Sequence, residues 1–384
     1  MTIALPTQSK QWVIIGTAFF VVHLICYAVY HSRPLDDAEH YVNAGALFLS
    51  EGKIDAHFHV LYAVPIVLLA LFTWLFGDPV FGYITFQVIT SALAVIALYS
   101  ITNAVSSQTA AFLAAMMFVL WIDNIRWNVL IMTESLFGSI TIFLFARFLA
   151  DERERHHTWQ CVVLLAISVF TRPVGLLLAI AVIVSVVVDY QKRHSVSAVK
   201  VAGFVLVACC CVLTVAYYLS LNWDFTDQYF RGNVITYADT YAGDRRWIQF
   251  DPQYSDNSDQ SSMLKAVRFI IERPLHVILV SLLKFFYLVS GVRPFYSTLH
   301  NVATVTGMIL IYAGAVIGAK SIAYSKLRTV LFTVITGNCL LVMMTTADWD
   351  NRFYIPMEAA VVILSAVGWS KIFEKAFQVK TSDL

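Results

Sequence analysis

Three observations predict an all-α polytopic membrane protein. Hydrophobic residues make up 59% of the 384 and charged residues 13%, with a mean hydropathy of +0.71, so too little polar surface remains to coat a soluble globule. Apolar runs close to the length that crosses a hydrocarbon core recur along the whole chain. The Lys and Arg residues concentrate in a few of the connections between those runs, as they do on the cytoplasmic side of membrane proteins. A formal net charge of +1 gives no basic excess that would attract nucleic acid. The six cysteines include Cys209-Cys210-Cys211 inside an apolar run and lack the spacing of a metal site or a disulfide framework.

The first run, Trp12 to Tyr30, is long enough to span and has no small-residue cleavage site, so it reads as a signal anchor. About ten transmembrane helices follow from the pattern, over 12–30, 80–101, 109–122, 129–149, 159–171, 173–189, 199–221, 301–318, 329–346 and 354–372. The basic connections at Arg153 to His157, Lys192 to His194, Lys320 to Arg328 and the tail Lys371, Lys375 and Lys380 place both termini inside. Leu61 to Phe76 and Pro274 to Val289 then read as interfacial helices on the outer face. If both crossed, twelve spans would result and the Arg153 loop would lie outside, against the charge rule. The chain divides accordingly into an N-terminal module, 1–221, with its first outer loop at 31–79; an outer loop and interfacial helix, 222–300; and C-terminal transmembrane helices, 301–384.

Unusual polar residues gather in the outer connections. In Arg33-Pro34-Leu35-Asp36-Asp37-Ala38-Glu39-His40-Tyr41, Pro34 and the two acids suit the start of a helix and Gly52 its stop. Asp36, Glu39, His40 and Asn43 share one face of that helix, opposite Ala38, Val42, Gly45 and Leu49. Two carboxylates at a bilayer exit are costly unless they face water, a cation or a substrate. Either Asp36 or Asp37 could serve as a general base, and simple helix capping is the competing role. His57 and His59 alternate with apolar neighbours, unlike a helical zinc pair, and suit an interfacial tip. Arg126 follows Asp123 and could pair with it or hold a phosphate, while Glu134, just inside a span, either pairs or works. Arg172, followed by Pro173 at the start of a span, needs a carboxylate or a phosphate as counter-ion unless it snorkels to water. Asp348, Asp350 and Arg352 precede Phe353-Tyr354-Ile355-Pro356, and the same choice between internal pairing and substrate binding applies to them. Arg293 lies in a further outer connection, and the loop Asn222 to Glu272 carries Arg245 and Arg246 among aromatic residues that would suit carbohydrate.

Read in order, these segments resemble the GT-C superfamily of membrane glycosyltransferases, in particular the branch of protein O-mannosyltransferases and lipid A aminoarabinose transferases. The likeness is carried by Asp36-Asp37 with its small-residue helix through Gly45, and by the His-containing helix from His57 to Phe76-Gly77-Asp78. It continues in Glu134-Ser135-Leu136-Phe137, Thr171-Arg172-Pro173-Val174-Gly175 and Arg352-Phe353-Tyr354-Ile355-Pro356. The order of these short motifs persuades more than any one of them. The resemblance implies a GT-C fold and an inverting transfer of a sugar from a polyprenyl-phosphate donor to a glycan, lipid or protein acceptor at the outer membrane face. It implies Asp36 or Asp37 as base and Arg172, Arg126, Arg352 and Arg293 as holders of the donor phosphate. Glu39, His57, His59, Glu134, Tyr354, Arg245 and Arg246 are the expected substrate contacts. The sequence assigns no cofactor; a divalent metal is compatible with the chemistry, although the acidic residues show no clear coordination spacing. The chain lacks the large C-terminal extracellular domain of the bigger relatives, and a transporter or flippase of a lipid-linked sugar is the alternative reading. That alternative calls for inverted repeats, which this sequence does not display.

Overall fold

The computed structural model describes residues 7–30, 36–54, 59–154, 158–194, 203, 233–236, 268–323, 325–348 and 350–382. The expected span 199–221 therefore lies outside the described residues, apart from residue 203. Helix α1 covers Gln8–Tyr30, α2 Asp36–Glu51, α3 Ala63–Phe76, α4 Pro79–Val105 and α5 Gln108–Leu120. The short α6 covers Ile122–Ile125, and α7 Glu134–Glu154, α8 Thr158–Thr171 and α9 Gly175–His194 follow it. Further along the chain come α10 (Pro274–Ser290), α11 (Thr298–Ala319), α12 (Ser325–Met344) and α13 (Ile355–Ser382).

The helix ends sort into two sets. At one end, Tyr99 donates to Gln11 Oε1 at 2.8 Å and Ser107 donates to Glu374 at 2.6 Å, joining the start of α1, the α4–α5 turn and the C-terminal part of α13. Lys326 and Asp189, 3.7 Å apart, tie the start of α12 to the end of α9. The opposite end gathers the exit of α1, all of α2, the start of α7, the α8–α9 turn and the α12–α13 loop. Between them, Asn128 binds His23 and Ser91, each at 2.9 Å, and accepts from Ser135, so one buried amide links α1, α4 and α7. Satisfying every polar group internally is obligatory at this depth.

Helix α3 behaves as an interfacial segment. It starts beside Tyr62, whose ring lies 5.4 Å from that of Tyr41 in α2, and it ends against the first turns of α4, with Phe76 and Phe81 rings 6.4 Å apart. Those first turns of α4 are on the same side, because Tyr83 and Gln87 donate to the carbonyls of Met132 and Leu130 just before α7. Both ends of α3 thus lie at the α2 end of the bundle. Gly45 allows the α2–α3 contact: a Cβ there would stand 3.1 Å from Leu69 Cβ and 3.3 Å from the backbone of Ile66 and Ala70.

The expected ten full-length spans are not all present as such. Helices α1, α4, α11, α12 and the stretch Arg352–Ala376 are long and apolar enough to cross a membrane, and α5 with the segment to Val129, bent by 61°, would be a sixth. Helix α7 begins at Glu134 rather than near 129 and runs unbroken to Glu154, carrying Arg147 within its length. Helix α8 has 14 residues, a rise of about 21 Å, short of a hydrocarbon core of about 30 Å. Helix α13 occupies the middle of the bundle and packs against α4, α5, α7, α11 and α12. Its contact with α11 is so close that a Cβ on Gly318 would fall 1.9 Å from the Leu364 carbonyl oxygen, and one on Gly368 1.9 Å from that of Gly314.

Candidate active site

Three structural devices bring scattered charges together at the α2 end. The first is the start of α2, which carries Asp37 at a half-exposed position with its neighbour Ala38 buried. The second is the α8–α9 turn, where Gly175 packs directly on the Ser168 backbone; a Cβ there would lie 2.4 Å from it, so the turn needs glycine to hold Arg172 at its tip. The third is the loop 345–354. It pairs with Val234 to Thr236 through bonds from Thr236 N to Ala347 O (2.8 Å) and from Ala347 N to Val234 O (3.2 Å). Asn351 takes a left-handed conformation there, φ 67°, which asparagine tolerates better than most residues.

Arg352 is the hub. Its Nη1 bonds Asp37 Oδ2 at 2.6 Å, its Nε lies 3.1 Å from Asp348 Oδ1, and Glu134 Oε1 is 4.0 Å away. Glu134 in turn lies 2.6 Å from Arg172 Nη1. Arg126 donates to the Asp350 carbonyl at 2.9 Å, stands 3.5 Å from its carboxylate and lies over the Trp127 ring. Arg293 is fully buried and spends its guanidinium on the carbonyls of Tyr287 and Val292, at 2.9 and 2.7 Å, and on Asn351 Oδ1 at 3.2 Å. Each described arginine of the set therefore already faces a carboxylate or carbonyl oxygen.

The acids differ in access, and this sorts their roles. The side chains of Asp348 and Glu134 are 0% and 1% exposed, whereas that of Asp37 is 45% exposed. Of these three carboxylates, Asp37 is the one that solvent reaches. Burial works against the charge of Asp348, but Arg352 and Asp350 hold it below the usual carboxylate range. Burial and then the charge of Asp348 push Asp350 well above that range, so Asp350 holds a proton more readily than Asp348 does. Tyr41 and Tyr62 are buried near Arg172 and Glu134; burial and then Tyr62 push the Tyr41 phenol well above its ordinary value, so it stays neutral.

The structure thus unites Asp37, Glu134, Arg172 and Arg352, with Arg126 and Arg293 in the adjoining layer. It does not bring in Tyr354, which is buried toward the bundle interior, 5.3 Å from Trp121 and in contact with Tyr312. Glu39 stands exposed on α2. Asp36 begins α2 and His59 a short 3-10 turn, but their side chains lie outside the described residues, as do all of His57, Arg245 and Arg246. Asp348 was expected either to pair within its loop or to bind substrate, whereas Tyr41 and Tyr62 were not among the expected site residues. Spacing offered a signal for the first, since Asp348 and Arg352 are four apart, but none for the tyrosines. Among the described residues no group of three or more His, Cys, Asp or Glu could hold a metal ion. The carboxylates face guanidinium groups instead, a donor set matched to arginine.

A bundle of apolar helices with surface helices and a buried arginine–carboxylate layer at one end defines a polytopic membrane protein with a charged site at its rim. Comparison with known proteins sharpens the class. A family model described as dolichyl-phosphate-mannose-protein mannosyltransferase matches residues 64–218. The archaeal oligosaccharyltransferase AglB of Archaeoglobus fulgidus, in complex with an inhibitory peptide and a dolichol-phosphate, superposes with a TM-score of 0.50 at 13% identity. That match covers 98% of this chain and 52% of AglB. ArnT of Cupriavidus metallidurans in the apo state superposes with a TM-score of 0.51 at 12% identity, over 95% of this chain and 60% of ArnT. No protein of curated function matches the sequence. The chain has the fold of the GT-C membrane glycosyltransferases, as the motif order led one to expect, and it spans between half and three fifths of the length of these two structures.

Proposed function

We propose that this chain is an inverting glycosyltransferase that moves a sugar from a polyprenyl-phosphate donor to an acceptor hydroxyl at the outer face of the membrane, with Asp37 as general base. The observation that carries the reading is the placement of Asp37, half exposed on a surface helix yet held at 2.6 Å by an arginine of the buried layer. The AglB structure contains dolichol-phosphate, a donor-type lipid phosphate, on a similar fold. The Lys and Arg distribution supports an outward-facing site.

In this reaction the acceptor oxygen attacks the anomeric carbon as its proton passes to the Asp37 carboxylate. The bond from that carbon to the phosphate oxygen breaks, and the phosphate leaves with the electron pair toward the guanidinium layer. A single displacement inverts the anomeric centre. No nucleotide is consumed, since the lipid phosphate is already the leaving group.

Purified full-length protein, incubated with a panel of synthetic polyprenyl-phosphate hexoses and mixed glycan, lipid and peptide acceptors, should release lipid phosphate with at least one donor. Release should fail with Asp37→Asn. If no donor is turned over, or if the variant turns over like the wild type, the proposal falls.

A further inference from the structure

The three carboxylates around Arg352 are unequal partners. Asp348 and Glu134 are buried on the body of the bundle, and removing a partner from a buried pair of this kind is strongly unfavourable. Asp37 is the partner at the solvent side, on a different element, and exposed ion pairs are held by about 1 kcal/mol or less. An anion approaching Arg352 from solvent must therefore arrive where Asp37 now sits. The same Asp37 oxygen that Arg352 holds is one that a base needs free.

We infer that Asp37 and the phosphate group of the ligand compete for Arg352, so that phosphate binding unlatches Asp37 and releases its carboxylate to accept the hydroxyl proton. The proposal rests on the glycosyltransferase reading of this site. It orders the reaction: donor first, base freed second, acceptor third. An acceptor that arrives without donor meets a base already engaged, which suppresses unproductive deprotonation. The geometry also gives Arg352 a double duty, because Asp348 and Glu134 continue to hold the guanidinium in place while its outer nitrogen changes partner.

Competition has an unusual signature: removing the proposed base should improve binding of the donor's phosphate. Asp37→Asn should bind decyl phosphate in detergent roughly two- to fivefold more tightly than the wild type at low salt, the range that loss of one exposed pair supplies. The gain should shrink at high salt. Glu51→Gln removes an equal charge at the exposed far end of the same helix and should leave the affinity unchanged. A gain with both decyl phosphate and inorganic phosphate supports competition by the phosphate group itself, and a gain with decyl phosphate alone supports competition by a lipid headgroup. Unchanged or weaker binding by Asp37→Asn overturns the latch, as does an equal gain in Glu51→Gln, which would reflect general charge. Turnover and binding report separately: lost turnover in Asp37→Asn without tighter binding keeps the base and removes the latch. Tighter binding with no transfer from any donor keeps the latch and removes the transferase.

Discussion

Glu134 and Arg172 lie 2.6 Å apart with 1% and 9% of their side chains exposed, so the first turn of α7 and the α8–α9 turn are joined by a buried ion pair. Breaking such a pair leaves one charge without compensation and costs about 3–5 kcal/mol. Arg172→Ala should accordingly reduce the yield of folded protein and its thermal stability in detergent. The double change Arg172→Met with Glu134→Leu should recover most of the loss, because matched apolar residues often replace a buried pair without penalty. Normal stability of Arg172→Ala would instead point to a direct phosphate contact for this arginine.

The half-exposed pair at Asp37 predicts the opposite balance. Asp37→Asn should lower sugar transfer by about a hundredfold or more, the low end of what a positioned base contributes, while thermal stability changes by less than about 1 kcal/mol. Parallel turnover and melting measurements separate the two effects; a large loss of stability at retained turnover per folded molecule would contradict the assignment.

The opposite shifts of Asp348 and Asp350 make stability depend on pH with opposite signs at the two residues. Asp350, raised, contributes fully below the unfolded carboxylate value of about 3.9, and its contribution is lost as pH rises through its higher folded value. Asp348, lowered, contributes above about 3.9 and loses its share as pH falls through its folded value. Asp350→Asn mimics the protonated partner, so it should remove the decline at rising pH and leave the acid limb intact. A melting profile across pH with the same alkaline slope in wild type and variant would sink this account.

The α11–α13 contact has no room for a side chain. Gly318→Ala and Gly368→Ala should each destabilise the protein by about 1–3 kcal/mol, as overpacking does in a filled interior, whereas Gly307→Ala on the same α11, with no atom within 4 Å of the added carbon, should be tolerated. Equal melting temperatures for all three variants would show that the two helices can separate freely.

Much of this arrangement could be read in the residues beforehand, and the parts that could not share a cause. Hydropathy and charge located most helices to within a few residues, and Gly52 ends α2 with φ 68° and an N–H bonded to Phe48 O, as a stop should. The acid and arginine motifs were visible singly. Their pairing was not: Asp37 and Arg352 are 315 positions apart, and nothing local tells Arg172 whether its anion is Glu134 or a phosphate. The late start of α7 has a similar origin. Residues before Glu134 leave the helix because Gln87 and Tyr83, on another helix, donate to their carbonyls, and no window of local apolarity records that help. Tyr354 looked like a site residue from its neighbour Arg352, but a short 3-10 turn over Arg352–Tyr354 sends the two side chains to different sides of the loop.

The central position of α13 also bears on how the protein is made. During synthesis the last long helix emerges after every other described element, yet it fills the middle of the bundle, with 89% of its apolar window buried. Without it, α4, α5, α7 and α11 lose a shared packing partner, and Arg352 is not there to meet Glu134 or Asp37. The finished helix therefore acts as a keystone: a ribosome that stops before residue 352 leaves Glu134 with Arg172 as its sole arginine partner of the two, and leaves the site without its hub.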